Sequence, residues 1–151
     1  MLRPFAFAFA TVLCSATSSI AADLIEKTSP YSVTETLDRL SAAVKNAGAT
    51  VFARVDHGAG AASVDMELAA SELLIFGNPK LGTPAMQDAR TAGLDLPLRV
   101  LAYFGDDGLV RVVYHDPASL ADSHGLPADA PYIKMMTGAL DKLTSQAISK
   151  D

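Results

Sequence analysis

The chain has 151 residues, 12 basic against 17 acidic, a formal charge of −5, a half share of hydrophobic residues and one cysteine. That length suits a single domain with one sizeable core. The acidic balance argues against nucleic acid and anionic membrane surfaces as partners, and a lone cysteine excludes an internal disulfide and a Cys-based metal site.

The first 22 residues read differently from the rest. Arg3 gives a positive start, Phe5 to Leu13 are almost entirely apolar, and small and polar residues follow from Ser15 to Ala22. That order is the signature of a secretory signal peptide, cut after Ala21 or Ala22. The apolar stretch falls short of the roughly 20 residues a membrane-spanning helix needs, and the bulky Leu13 beside Cys14 does not suit a lipid anchor. The expectation is an exported protein, periplasmic or secreted, with residues 23–151 as one mature domain and no membrane anchor after cleavage. Cleavage removes Cys14 and Arg3, leaving no cysteine and a formal charge of −6.

In the mature chain, Leu24 to Lys27 reads as a short strand. Ser32 and Glu35 form a capping box for a helix whose apolar face is Val33, Leu37, Leu40 and Val44, ended by Gly48. Thr50 to His57 alternates with period two, as does Ser63 to Leu68; with Gly58 and Gly60 between them they predict a hairpin. Leu73 to Phe76 predicts a buried strand. Thr83 and Pro84 predict the cap and first residue of a second helix ending near Gly93. Leu98–Phe104, the Gly105-Asp-Asp-Gly108 turn and Leu109–Tyr114 predict another hairpin. Asp116-Pro117 predicts a short helical turn ending near His124-Gly125, and a last helix spans about Ala130 to Ser149. The order β-α-β-β-β-α-β-β-α predicts an α+β domain, a mainly antiparallel sheet with helices on one face.

The stretch Glu72-Leu-Leu-Ile-Phe-Gly-Asn-Pro-Lys-Leu-Gly-Thr-Pro-Ala-Met86, preceded by Val51-Phe-Ala-Arg-Val-Asp-His57, resembles the bacterial family known as domain of unknown function 302 (DUF302). Asp116-Pro117 fits the same pattern, and the likeness runs from about Pro30 to Leu143. The resemblance implies a TATA-binding-protein-like α+β fold and a tendency to dimerise, and it implies no reaction. Gly77 stands where one variant of the family has a cysteine before Asn-Pro, so thiol chemistry has no support here.

Several candidate features emerge. Gly77 to Thr83 joins a buried strand to a helix start, where free N–H groups and the helix dipole favour an anion. Asn78, Lys80, Gly82 and Thr83, with Gly77, are its candidate ligand residues, although Gly, Asn and Pro are also ordinary turn residues. His57 and His115 each end a predicted strand beside an aspartate; if those ends share one sheet edge they form a Zn²⁺ or Cu²⁺ pair, and otherwise they are exposed turn residues. His124 before Gly125 reads as a helix-end residue that complements the dipole. Exposed thioethers at Met86 and Met135 would suit Cu(I), but methionine is more often core filler. Finally, Arg99, Leu101 and Tyr103 share one face of a strand whose other face is also apolar, which predicts a helix layer on one side and a second subunit on the other. No G-x-S-x-G elbow or phosphate loop occurs. These features predict an exported small-ligand or anion-binding module, homodimeric and non-catalytic. The alternative is a metal-binding protein using His57 and His115, and an enzyme of unrecognised type stays open. No cofactor is assignable.

Overall fold

The computed structural model describes residues 24–150; the expected signal peptide, residues 1–22, lies outside them. Five strands form one antiparallel sheet in the order β1-β5-β4-β3-β2. They are β1 (Leu24–Ser29), β2 (Thr50–Asp56), β3 (Ser71–Gly77), β4 (Leu98–Phe104) and β5 (Val110–His115). The helices are α1 (Val33–Asn46), α2 (His57–Ala62), α3 (Pro79–Asp88), α4 (Ser119–His124) and α5 (Pro131–Ile148), with a 3₁₀ turn at Arg90–Leu94. The α+β class and the antiparallel sheet agree with the sequence pattern.

α1 starts where the capping box predicts. The Ser32 hydroxyl accepts the Glu35 N–H at 3.2 Å, and Gly48 closes the helix at φ +73°, a left-handed position that suits glycine. Val33, Leu37, Leu40 and Val44 are at most 3% exposed. They pack with Leu140, Leu143 and Ala147 of α5 on Leu74, Phe76, Val100, Ala102 and Val112 of the sheet. Each of the Val, Leu and Phe side chains contributes about 1.5–3 kcal/mol by leaving water.

Polar ties fix the layers. Lys27 donates to the Asp141 carboxylate and carbonyl and to the Thr144 and Ser145 hydroxyls, at 2.7–2.9 Å. The nearly buried Glu72 carboxylate accepts from Thr34 of α1 and from Arg54 of β2, both at 2.6 Å, and Arg54 also pairs with Asp38.

Two expectations are corrected. Ser63 to Leu68 forms no strand: Asp56 caps α2 by accepting the Ala59 N–H at 2.8 Å, and β2 pairs with β3 directly. Val64, Met66 and Leu68 are 63%, 66% and 54% exposed, so their alternation has no core to face. The second helix begins five residues before the predicted start. Asn78 and Pro79 make a competing cap and first-residue pair, so Thr83 does not cap and Pro84 sits inside the helix.

A β-bulge in β2 also breaks the alternation. The register passes from Val51↔Phe76 to Ala53↔Ile75, leaving Phe52 as the extra residue, 56% exposed. An extra residue reverses the face of everything after it. Ala53 and Val55 therefore sit opposite Ile75 and Leu73, away from the helices, and Arg54 joins the helix-facing side with Leu74.

Candidate functional site

Gly77 to Thr83 is not a loop. Gly77 is the last residue of β3, Asn78 is the cap of α3, and Lys80, Gly82 and Thr83 lie in its first turns. The cap consumes the donors an anion would need. Asn78 Oδ1 accepts the Lys80 N–H at 2.9 Å, the Asn78 carbonyl accepts from Leu81 and Gly82 at 2.9 and 3.0 Å, and Pro79 has no N–H. The expected anion cradle at this helix start is therefore already filled by the chain itself.

Four of the five predicted residues nevertheless share a groove. Gly77, Asn78, Gly82 and Thr83 line a cavity of about 340 Å³, whose other walls include Phe52, Met86, Leu96, Pro97 and Met136. Lys80 is not among its walls. Two glycines keep it open. A β-carbon at Gly77 would stand 3.3 Å from Pro97 Cβ and 3.6 Å from the Phe52 ring, and one at Gly82 would stand 3.8 Å from Leu96 and 3.9 Å from Met86. The walls are mostly apolar, with Asn78 and Thr83 as the polar side chains, the composition of a small-molecule site. Met86 is part-exposed and Met136 is buried; Met135, 53% exposed, does not line the groove.

Pattern reading missed Phe52, Leu96, Pro97 and Met136. Only the bulge explains Phe52, because strict alternation assigns its neighbours to the core. Tyr132 ties α5 to α3, donating to Asp88 at 2.8 Å; burial and the neighbouring carboxylate both raise its phenol pKa.

The histidine pair is not assembled. β2 and β5 run in opposite directions with β3 and β4 between them, so His57, at the start of α2, and His115, at the end of β5, lie at opposite ends of the sheet. Strand spacing separates them by about 14 Å across the sheet and about 13 Å along it. Among the described residues no group of three or more His, Cys, Asp and Glu can hold a metal ion. The metal reading for His57 and His115 is overturned by this topology.

His115 instead borders a smaller pocket of about 160 Å³ whose walls mix Asp95, Arg99, Asp116, Ser119 and Ser123 with apolar residues such as Leu98 and Leu120. Beside it His124 is more than a helix-end charge. Its ring bridges Thr91 at 3.1 Å and Asp95 at 2.8 Å, tying α4 to the 3₁₀ turn. The hydrogen bond from His124 holds the Asp95 carboxyl below its ordinary range; partial burial opposes this and Arg99 assists it.

A family model described as domain of unknown function DUF302 matches residues 25–143. A crystal structure of an uncharacterized conserved DUF302 protein from Bacillus stearothermophilus superposes with a TM-score of 0.66 at 16% identity, covering 85% of this chain and 97% of that one. Two curated relatives, each named fluoride-specific ion channel FluC 1, come from Brucella suis and Brucella abortus. Each is 48% identical over 123 residues, covering 80% of this chain and 48% and 46% of the relative. The chain thus spans about half the length of these relatives. No helix among its described residues is long and apolar enough to cross a membrane.

Proposed function

The chain belongs to the DUF302 family, and from that premise we propose that it is an exported, non-catalytic module that binds a small, mainly apolar molecule in the groove beside α3. One observation carries this reading: the strand-to-helix junction picked out from the sequence borders an apolar groove kept open by two glycines. Its volume lies at the lower end of the range for small-molecule sites, roughly 300–1,000 Å³. Asn78 and Thr83 would orient one polar group of the ligand. An acidic ligand fits less well, since the helix donors are used and Lys80 stands outside the walls.

The export signal and the homodimer belong to the same proposal. The sheet face away from α1 and α5 carries Leu73, Ile75, Leu101, Tyr103 and Val113, all partly exposed, and a second subunit would cover it by sheet-on-sheet packing. Native mass spectrometry of the protein purified from its periplasm, with no chelator and no tag, tests these claims together. The expected result is a dimer retaining an organic mass that is lost in Gly82→Leu. A retained metal mass, or an organic mass unaffected by Gly82→Leu, would sink the groove reading.

A second reading comes from the curated relatives. Their names, and the half of their length that this chain matches, support a role as the extramembrane companion of a fluoride channel. Fluoride tolerance of a strain lacking this chain decides it: heightened sensitivity supports the companion role, and unchanged tolerance removes it.

A further inference from the structure

The segment Ser63 to Ala70 has the alternation of a strand and no strand to pair with. After α2 the chain turns through Asp65, a non-glycine residue at φ +57°, held by N–H bonds from Val64 and Met66 to the Ala61 carbonyl at 3.1 and 3.0 Å. From Glu67 to Ala69 the chain belongs to no helix or strand and makes no backbone hydrogen bond to another described residue. The β2–β3 ladder stops at Asp56↔Glu72, and the β3–β4 ladder at Ser71↔Tyr103. Unpaired backbone beside the end of a sheet can take up an added strand.

The apolar side chains of this region are equally unpartnered. Val64, Met66 and Leu68 are more than half exposed, and Phe104 and Leu109 are 46% and 45% exposed. The Phe104 N–H reaches the Ala70 carbonyl at 2.8 Å and the Gly105 N–H reaches the Leu109 carbonyl at 2.8 Å, which gathers these side chains at one end of the sheet. An open cleft of about 490 Å³ lies between α2 and the segment, bordered by Gly58, Ala62, Met66, Glu67, Leu68 and Ala69. The ligand groove is elsewhere, at the Leu98 end of β4, about 20 Å from Phe104 along the strand.

Charge selects the occupant. Asp65 and Glu67 interleave with the apolar residues, Asp106 lies in the turn after Phe104, and none of the three has an ion-pair partner among the described residues. A second copy would set the same carboxylates against one another, and like charges directly opposite are destabilising. We infer that Met66–Ala69, with the apolar cluster around it, is a docking edge for an extended segment of a partner protein that alternates apolar and basic residues. The backbone of Glu67–Ala69 supplies the ladder bonds, Met66, Leu68 and Phe104 the apolar contact, and the carboxylates the preference for Lys or Arg.

Titration of the ¹⁵N-labelled protein with an amidated (Lys-Val)₄ peptide, with (Glu-Val)₄ as control, tests this. The basic peptide should shift the amides of residues 64–69 and 104–109, and the acidic peptide should not. Met66→Ser with Leu68→Ser should weaken binding at least tenfold, with part of the wild-type affinity surviving high salt. If that variant does not fold, Asp65→Asn with Glu67→Gln gives the same test through charge. Shifts elsewhere, no shifts at all, equal binding of the acidic peptide, or unchanged affinity in the variants would overturn the inference. So would concentration-dependent self-association that maps to these same amides.

Discussion

The two glycines of the groove should respond to alanine in opposite directions. Gly82 lies inside α3, and its added β-carbon would meet Leu96 and Met86 at 3.8 and 3.9 Å, ordinary van der Waals contact. Only the helix-propensity term then remains, so Gly82→Ala should stabilise the protein by about 0.5–1 kcal/mol. For a domain of this size that is a rise in melting temperature of about 2–4 °C. Gly77 ends β3, and its β-carbon would stand 3.3 Å from the Pro97 ring and 3.6 Å from Phe52. The proline ring is fixed to its backbone and cannot rotate away, so Gly77→Ala should cost about 1 kcal/mol through overpacking. Thermal melts of both variants at one pH and protein concentration read the signs directly. A destabilised Gly82→Ala together with a stabilised Gly77→Ala would refute the assigned surroundings of both positions. Stability gained at Gly82 together with affinity lost would mark a glycine kept for the ligand at the expense of the helix.

Other outcomes follow from the same contacts. Arg54→Met leaves the nearly buried Glu72 carboxylate with Thr34 alone, and because Arg54 is partly exposed the loss should be about 2–3 kcal/mol in urea unfolding, below the full cost of breaking a buried pair. Adding Glu72→Met should recover much of it, since no uncompensated charge then remains. The folded-state pKa of Asp95 is depressed, chiefly by His124, so its stabilising contribution is present above the ordinary carboxylate range and is lost as pH falls through the depressed value. The gap in melting temperature between wild type and His124→Asn should accordingly narrow below about pH 4. Leu101→Glu puts a charge at the centre of the outer sheet face and should shift sedimentation from dimer to monomer; an unchanged dimer would move the interface elsewhere.

Much of the fold is legible in the sequence because its signals are local. Ser32 with Glu35, the α1 stripe, the Gly105–Gly108 turn and the Asp116-Pro117 turn each state their structure within a few residues. The errors lie where two local signals compete. Asn78-Pro79 and Thr83-Pro84 both announce a helix start, and the first prevails because the Asn78 side chain and carbonyl bond three successive N–H groups. The alternation from Ser63 to Leu68 is genuine, but a strand also requires a neighbour, and β3 already lies between β2 and β4. The bulge at Phe52 carries no sequence signature and reverses the faces of Ala53, Arg54 and Val55. The sequence points to the strand-to-helix junction but not to most of the walls around it. Gly77, Asn78, Gly82 and Thr83 do share a groove, but its character is set by Phe52, Leu96, Pro97 and Met136, which only the tertiary fold brings there. The His57 and His115 pairing failed for a topological reason, since antiparallel strands send their C-terminal ends to opposite edges.

The most direct test of the account is the binding of N-phenyl-1-naphthylamine, an apolar fluorescent probe, to wild type, Gly82→Leu and Lys80→Ala. The groove reading predicts saturable enhancement with wild type, at least a tenfold loss of affinity in Gly82→Leu, and no change in Lys80→Ala. Enhancement that survives Gly82→Leu, or that disappears in Lys80→Ala, would contradict it.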